Sequence, residues 1–249
     1  MTSSTIPTTP MSEASLAVPR HDSPRRLARS TAVFSLLTVL LGMVAEGLVS
    51  DRLIVWKDAA LTASNIVAHR DLWLAGFAAY LVEMACNVVG TVLFYRLFKP
   101  AGPGLSLVAL ALGLVGCTIK TVARIFFVVP LVLLGRHANH ALTPDVLNEL
   151  SLALLTVNDR GAAVALVFFG FHTTVIGWLM LRSRFLPRIL GVLGILGGAG
   201  WLAFLWPPLG YRFFPFIAGF ALLGFVGLTF WLLVFGVDEA RWRQREGSR

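Results

Sequence analysis

Six apolar runs dominate the sequence, and each of them is long enough to cross a lipid bilayer as a helix. A helix needs about 20 residues to cross the hydrocarbon core. Hydrocarbon tolerates only helices or closed barrels, because every backbone hydrogen bond must be satisfied within the protein. The alternating pattern of barrel strands is absent from these runs. The sequence therefore predicts an all-α, polytopic transmembrane helical bundle of about six spans.

The apolar runs also set the predicted domain boundaries. The predicted spans are residues 31–49, 72–95, 104–134, 161–181, 189–206 and 216–236. Residues 1–30 are rich in Ser, Thr and Pro and are predicted to be a disordered basic tail. Residues 237–249 are predicted to be a C-terminal tail. Thr143-Pro144-Asp145 is typical of a helix start, and it predicts an outer amphipathic helix over about 144–158 that lies on the membrane or continues into span four.

Basic residues followed by an apolar run are also typical of a signal peptide, which is the alternative for residues 31–49. The tail that precedes this run is long for a signal peptide, and no clear small-x-small cleavage site follows it. An uncleaved membrane helix is therefore the favoured interpretation.

The distribution of charge predicts the orientation. Only 14% of the residues are charged, against about 25% in soluble domains. The net charge of +8 would suggest nucleic acid in a soluble protein, but here the basic residues lie mainly in short segments between spans. Thirteen Lys and Arg fall on the side of the termini and six on the other side. The positive-inside rule then predicts a cell (inner) membrane protein with both termini cytoplasmic and no nucleic-acid partner.

Three ionisable residues, Glu83, Lys120 and Arg124, lie deep inside predicted spans. Each would cost about 2.5–3.5 kcal/mol if it faced lipid at mid-depth, so they are expected to face protein or water. The tight turn at 99–104 makes spans two and three an antiparallel hairpin that brings Glu83 level with Lys120. We predict an ion pair between Glu83 and Lys120, with Arg124 one turn further out and within reach of Glu46.

These residues belong to a candidate ligand-binding cluster. Its members are Glu83, Asn87, Lys120, Arg124 and His172. One acid against two bases favours an anionic group such as a lipid phosphate or a carboxylate. Two structural alternatives remain open: the ion pair only sets helix register, and His172 only bonds a carbonyl of a neighbouring helix.

No known catalytic or cofactor motif is present. There is no Walker loop, dinucleotide-binding glycine pattern, zinc-protease motif or nucleophile elbow. Cys86 and Cys117 are expected to be apolar fillers, and His137-x-x-His140 is a weak metal signal. His172 is the only histidine inside a span, so a bis-histidine haem is not supported. We therefore predict no cofactor, no metal and no catalytic residue.

Gly194-x-x-x-Gly198 has the spacing that allows two membrane helices to approach closely. The partner is either a neighbouring helix of the same chain, which we favour, or a second copy in a homo-oligomer.

Three segments carry a family resemblance. They are TASNIVAH at 62–69, VLFYRLFKP at 92–100 and the long string from Leu166 to Gly198. The chain resembles the bacterial integral-membrane family known as domain of unknown function 4386 over roughly residues 30–240. The resemblance implies a compact helical membrane bundle of five to seven spans, and it implies no activity.

Two functional hypotheses follow, and a third, a membrane-embedded enzyme, is the least supported. In the first, a small binding or transport protein holds an amphiphile or an anion in the polar cluster. In the second, the chain is a non-catalytic accessory or sensor subunit whose buried charges are structural. An open polar cavity that reaches Glu83 and Lys120 would support the first hypothesis, and a closed, dry ion pair would support the second.

Overall fold

The structure, a computed structural model, describes residues 23–135 and 142–247. Within these ranges the chain forms helices and turns and no strand. The helices are α1 Pro24–Leu53, α2 Ala59–Ala68, α3 Arg70–Phe98, α4 Pro103–Leu133, α5 Pro144–Ser183, α6 Arg188–Leu205, α7 Pro207–Val234 and α8 Glu239–Gly247. All except α2 and α8 are long and apolar enough to cross a membrane, which confirms the predicted bundle of six spans.

The six spans are arranged as a ring. Helix α1 packs against α3, and contacts continue through α4, α5 and α6 to α7, which packs back against α1. The outside of the ring carries large exposed apolar side chains, including Val132, Leu223 and Phe216. Such a surface suits lipid and would be an aggregation hazard in water.

Buried side chains form one cluster at one end of the ring and two separate clusters at the other. We call the first the termini end, because α1 begins there and α7 ends there. Its cluster includes Leu97, Phe98 and Leu232. At the opposite end, one cluster surrounds Trp73 and another surrounds Phe204. The two are not joined into one core.

Helix α1 begins earlier than the sequence predicted. It starts at Pro24, so the predicted limit of the tail at residue 30 is wrong. Proline is favoured in the first turn of a helix, and Leu27 and Ala28 are buried in the termini-end cluster. Packing therefore extends the helix into a polar sequence. The rest of the predicted disordered tail, residues 1–22, lies outside the described residues.

The predicted outer helix over 144–158 and span four over 161–181 are one helix, α5. Of the two predicted arrangements, the direct continuation is therefore correct. Gly161 lies within this helix and does not interrupt it. Ala123 of α4 packs closely against Gly161, and a Cβ on Gly161 would lie 2.7 Å from the Cβ of Ala123. The close approach of α4 and α5 explains a glycine at this position.

Span six also begins before its predicted limit of residue 216. Helix α7 starts at Pro207 and includes Pro215. A proline inside a helix removes one hydrogen bond, and membrane helices tolerate this more often than soluble ones do. The predicted start of span six at residue 216 is therefore too late.

Two short helices were not predicted. Helix α2 is capped by Asp58, whose side chain accepts a hydrogen bond of 2.9 Å from the backbone N–H of Leu61. Helix α8 lies in the predicted C-terminal tail, and its Trp242 is buried and donates from Nε1 to the carbonyl of Leu97 over 2.9 Å. This buried residue helps to attach a charged helix to the termini end of the ring.

Gly194 and Gly198 of α6 face α5 in the same chain. A Cβ on Gly198 would lie 2.7 Å from the carbonyl oxygen of Gly170, and one on Gly194 would lie 3.2 Å from the Cα of Gly177. The predicted close approach at Gly194-x-x-x-Gly198 is therefore intramolecular.

Candidate functional site

The predicted ion pair is present at the centre of the bundle. The Nζ atom of Lys120 on α4 donates to Oε1 of Glu83 on α3 over 2.5 Å. The side chains are 19% and 6% exposed, respectively. The tight turn between α3 and α4 sets this register, so the sequence alone was enough to predict the pair.

The carboxylate of Glu83 is covered by α1. A Cβ on Gly42 would lie only 3.1 Å from Oε1 of Glu83, so glycine is what lets α1 approach the ion pair. Among the described residues, the other oxygen, Oε2, is buried and has no hydrogen-bond partner. The attraction of Lys120 is thus the principal compensation for burying this charge.

Arg124 belongs to a second polar network, separate from the ion pair. Its Nη1 donates to Oδ1 of Asn158 on α5 over 3.1 Å, and its guanidinium lies 3.5 Å from the centre of the Tyr80 ring. The hydroxyl of Tyr80 donates to Oε2 of Glu46 over 2.5 Å. The expected contact between Arg124 and Glu46 is therefore indirect, because Tyr80 lies between them.

Sequence reasoning missed Tyr80 and Asn158. Tyr80 lies on the helix of Glu83, three residues before it, and Asn158 is a polar residue inside α5. The hydroxyl of Tyr80 also bonds Ser50 over 2.8 Å, in the π-helical segment Ala45–Ser50 of α1. The polar hydroxyl of Tyr80, near the buried Arg124, was the feature of the sequence that could have indicated this contact.

Replacing Tyr80 by phenylalanine is expected to lower the free energy of unfolding by about 1–2 kcal/mol. The ring beneath Arg124 would remain, but the hydrogen bonds to Glu46 and Ser50 would be lost. Thermal unfolding in detergent would measure the change. An unchanged unfolding temperature would show that this network contributes nothing to stability.

His172 makes the contact that its structural alternative predicted. Its Nδ1 lies 2.8 Å from the carbonyl oxygen of Ala109 on α4. A carbonyl only accepts, so Nδ1 is the donor, and the neutral ring then offers Nε2 as an acceptor. Gly113 makes room for the ring, since a Cβ there would lie 2.8 Å from Nδ1.

The centre of the ring holds a partly open cavity of about 380 Å³. Asn87, Lys120 and His172 line it, so the structure brings three of the five predicted site residues together around one space. Glu83 lies behind Lys120 and does not line the cavity, and Arg124 does not line it either.

The cavity has two different walls. Helices α1, α3, α4 and α5 contribute apolar side chains such as Phe94, Phe169 and Met180, and they also contribute the charged, amide, imidazole and hydroxyl groups, which are Ser35, Thr38, Asn87, Thr91, Lys120, His172 and Thr173. Helices α6 and α7 contribute no charged or hydroxyl side chain; their lining residues include Leu193, Ala218 and Phe225. The cavity is therefore mostly apolar, and apart from the indole of Trp201 its hydrogen-bonding side chains all come from the side of α1, α3, α4 and α5.

The profile of one protein family, described as Domain of unknown function (DUF4386), matches residues 31–236. This match spans nearly the whole ring of helices. The chain belongs to the DUF4386 family. No curated protein and no solved structure is similar to it. The resemblance seen in the sequence is confirmed, and the family description assigns no activity.

The DUF4386 chain offers no evident metal site in the part that the structure describes. No group of three or more His, Cys, Asp or Glu side chains there is arranged to hold an ion. The weak candidates His137 and His140 lie outside the described residues.

Proposed function

We propose that this DUF4386 chain binds a small single-chain amphiphile in its central cavity, in a bacterial inner membrane and with both termini in the cytoplasm. The excess of Lys and Arg on the side of the termini supports this orientation. The head group would bind at Lys120 and Asn87, and the hydrocarbon chain would lie against α6 and α7.

The two-sided lining of the cavity is the observation that carries this proposal. Ligand pockets are mostly apolar, with a few polar groups that orient the ligand, and they enclose about 300–1,000 Å³. The cavity of about 380 Å³ fits that description. A free inorganic anion would leave the hydrocarbon wall of α6 and α7 without a partner, so the lining favours an amphiphile.

The head group would be one with acceptor oxygens. The ammonium of Lys120 has three N–H donors, and Glu83 accepts one of them. Donors also come from the amide of Asn87, while Nε2 of His172 can accept from a hydroxyl. Because Glu83 balances the charge of Lys120, the site suits a carboxylate or a hydroxyl better than a multiply charged group.

The access route would lie between α1 and α7. At the termini end the two helices are close, and a Cβ on Gly236 would lie 3.4 Å from Cγ of Arg25. Toward the other end, Val49 of α1 joins the Trp73 cluster, whereas Tyr211 of α7 packs with the Phe204 cluster. The helices join different clusters there, and Leu222, which lines the cavity, is 42% exposed.

The second candidate is an accessory subunit in which the ion pair is structural. The pair is closed at 2.5 Å, and the cavity reaches Lys120 but not Glu83. The binding hypothesis required a cavity that reaches both residues, and this cavity reaches only one of them. A binding measurement is therefore needed to decide between the two.

Laurate binding to the purified full chain tests the proposal. Ala218→Phe would place a ring in the cavity from the apolar wall, and we expect it to weaken laurate binding by about tenfold or more, because lost hydrocarbon contact costs about 0.8 kcal/mol per methylene. Native mass spectrometry of the protein titrated with laurate would measure this change.

Leu223→Phe is the matched control, since Leu223 lies on the same helix and is 63% exposed. It should bind laurate as the unsubstituted protein does. Equal binding by Ala218→Phe and the control would contradict the proposal, and so would equal affinity for laurate and dodecane, because the polar wall would then select nothing.

A further inference from the structure

A second, polar groove of about 540 Å³ lies at the termini end, away from the central cavity. It is lined by Ser183 and Arg184, which end α5, and by Arg241, Gln244 and Arg245 of α8. Three of these five residues are arginines, and none is acidic. The groove is therefore a concentration of guanidinium groups at the end of a membrane-spanning helix.

The arginines of α8 are held in place by the end of α5. Arg241 donates from Nη1 to the carbonyl of Arg184 over 2.9 Å, and Arg245 donates from Nη2 to the carbonyl of Arg182 over 3.1 Å. The last carbonyls of a helix lack partners within the helix, and basic side chains commonly cap them. The groove is thus preorganised by backbone contacts, together with the burial of Trp242.

Arg184 differs from the two capping arginines in its backbone conformation and, among the described residues, in its lack of a partner. Its backbone is left-handed, with φ of 60°, at a helix end where glycine is the usual residue. Across residues 23–135 and 142–247, its guanidinium has no hydrogen-bond or ion-pair partner within the protein. The chain therefore keeps an arginine at a position that disfavours any side chain, and no internal contact accounts for it.

The acidic residues nearest the groove do not neutralise it. Asp238 pairs with Arg241 over 3.2 Å. Glu239 lies against Arg25 at 3.6 Å and Arg243 at 3.8 Å. Arg184 therefore adds positive charge to the groove that neither of these acids offsets.

We propose that this groove binds the phosphate group of an anionic lipid at the membrane surface. Guanidinium groups bind phosphate oxygens through paired N–H donors, and basic pockets at the ends of membrane helices are typical sites for anionic head groups. The position at the end of a span places the groove at the level of lipid phosphates. The site is separate from the central cavity, so the result of the laurate experiment does not affect this proposal.

Arg184→Gly gives a sharp test, because glycine adopts a positive φ freely and keeps the carbonyl that accepts from Arg241. The full chain would be placed in mixed micelles containing equal amounts of phosphatidylglycerol and phosphatidylcholine, and bound lipids counted by native mass spectrometry. We expect the unsubstituted protein to prefer phosphatidylglycerol and Arg184→Gly to lose about fivefold of that preference, with an unfolding temperature that is unchanged or higher.

Arg243→Gln is the matched control, because it removes the same charge from the exposed surface of α8 without touching the groove. It should keep the preference within about twofold, a smaller change than a groove arginine contributes. If the two variants lost the same amount of the preference for phosphatidylglycerol, the preference would come from the overall positive charge of the surface, and the proposal would be overturned. The absence of any preference in the unsubstituted protein would overturn it as well.

A further titration with glycerol phosphate separates the two sources of phosphate. Failure to displace the lipid at millimolar concentration identifies a lipid site. Displacement that is lost in Arg184→Gly would identify a site for a soluble phosphate compound and would overturn the lipid assignment.

Discussion

Replacing Lys120 by methionine is expected to lower the free energy of unfolding by about 3–5 kcal/mol. The change would leave the carboxylate of Glu83, whose side chain is 6% exposed, buried without its partner. Thermal unfolding in detergent would measure the loss. Lys57→Met is the matched control, because Lys57 is exposed and outside the spans, and a surface substitution changes stability by about 0.5 kcal/mol or less.

Adding Glu83→Gln to Lys120→Met is expected to restore most of the lost stability, because no unpaired charge would then remain in the interior. A double variant as unstable as Lys120→Met alone would show that packing, and not charge, causes the loss. The double variant also separates the two candidate functions. If it folds and still binds laurate as tightly as the unsubstituted protein, the proposed head-group contact with Lys120 is wrong.

Replacing Gly177 by leucine is expected to destabilise the bundle by about 3 kcal/mol or more. A Cβ at this position would lie 2.7 Å from the backbone nitrogen of Ile195 and 2.8 Å from the carbonyl oxygen of Gly191. Both contacts are with backbone, so α5 and α6 would have to separate, and overpacking of this kind typically costs about 1–3 kcal/mol and occasionally more.

The same unfolding assay would measure the effect of Gly177→Leu. Gly219→Leu is the matched control, since a Cβ on Gly219 meets no atom within 4 Å. It should unfold at the temperature of the unsubstituted protein or slightly above, because leucine favours helix more than glycine does. If the two variants unfold alike, the close approach of α5 and α6 is not a source of stability.

The ion pair shows how far local sequence information reaches. Residues 99–102 form a tight turn, and α3 and α4 leave it as antiparallel neighbours. Counting outward from such a turn gives the depth of every residue on both helices, which is why Glu83 and Lys120 could be paired correctly. Depth along a helix follows from residue number, since the rise is about 1.5 Å per residue.

Arg124 shows where that reasoning stops. Its depth was predicted, but its partners Asn158 and Tyr80 were not. Which side chains meet across helices depends on how each helix is rotated about its axis and which helices become neighbours. The rotation and the neighbours of each helix depend on packing over the whole ring. For example, Gly42 leaves room for the side chain of Glu83, and Gly113 leaves room for the ring of His172.

The sequence by itself determined the fold class, the six apolar spans and the depth of each ionisable residue, because the cost of exposing backbone and charge to hydrocarbon leaves few alternatives. Only the tertiary structure decided that the spans close into a ring around a two-sided cavity, and that Trp242 docks α8 beside the end of α5. Those features arise from contacts between residues far apart in the chain, and no local pattern encodes them.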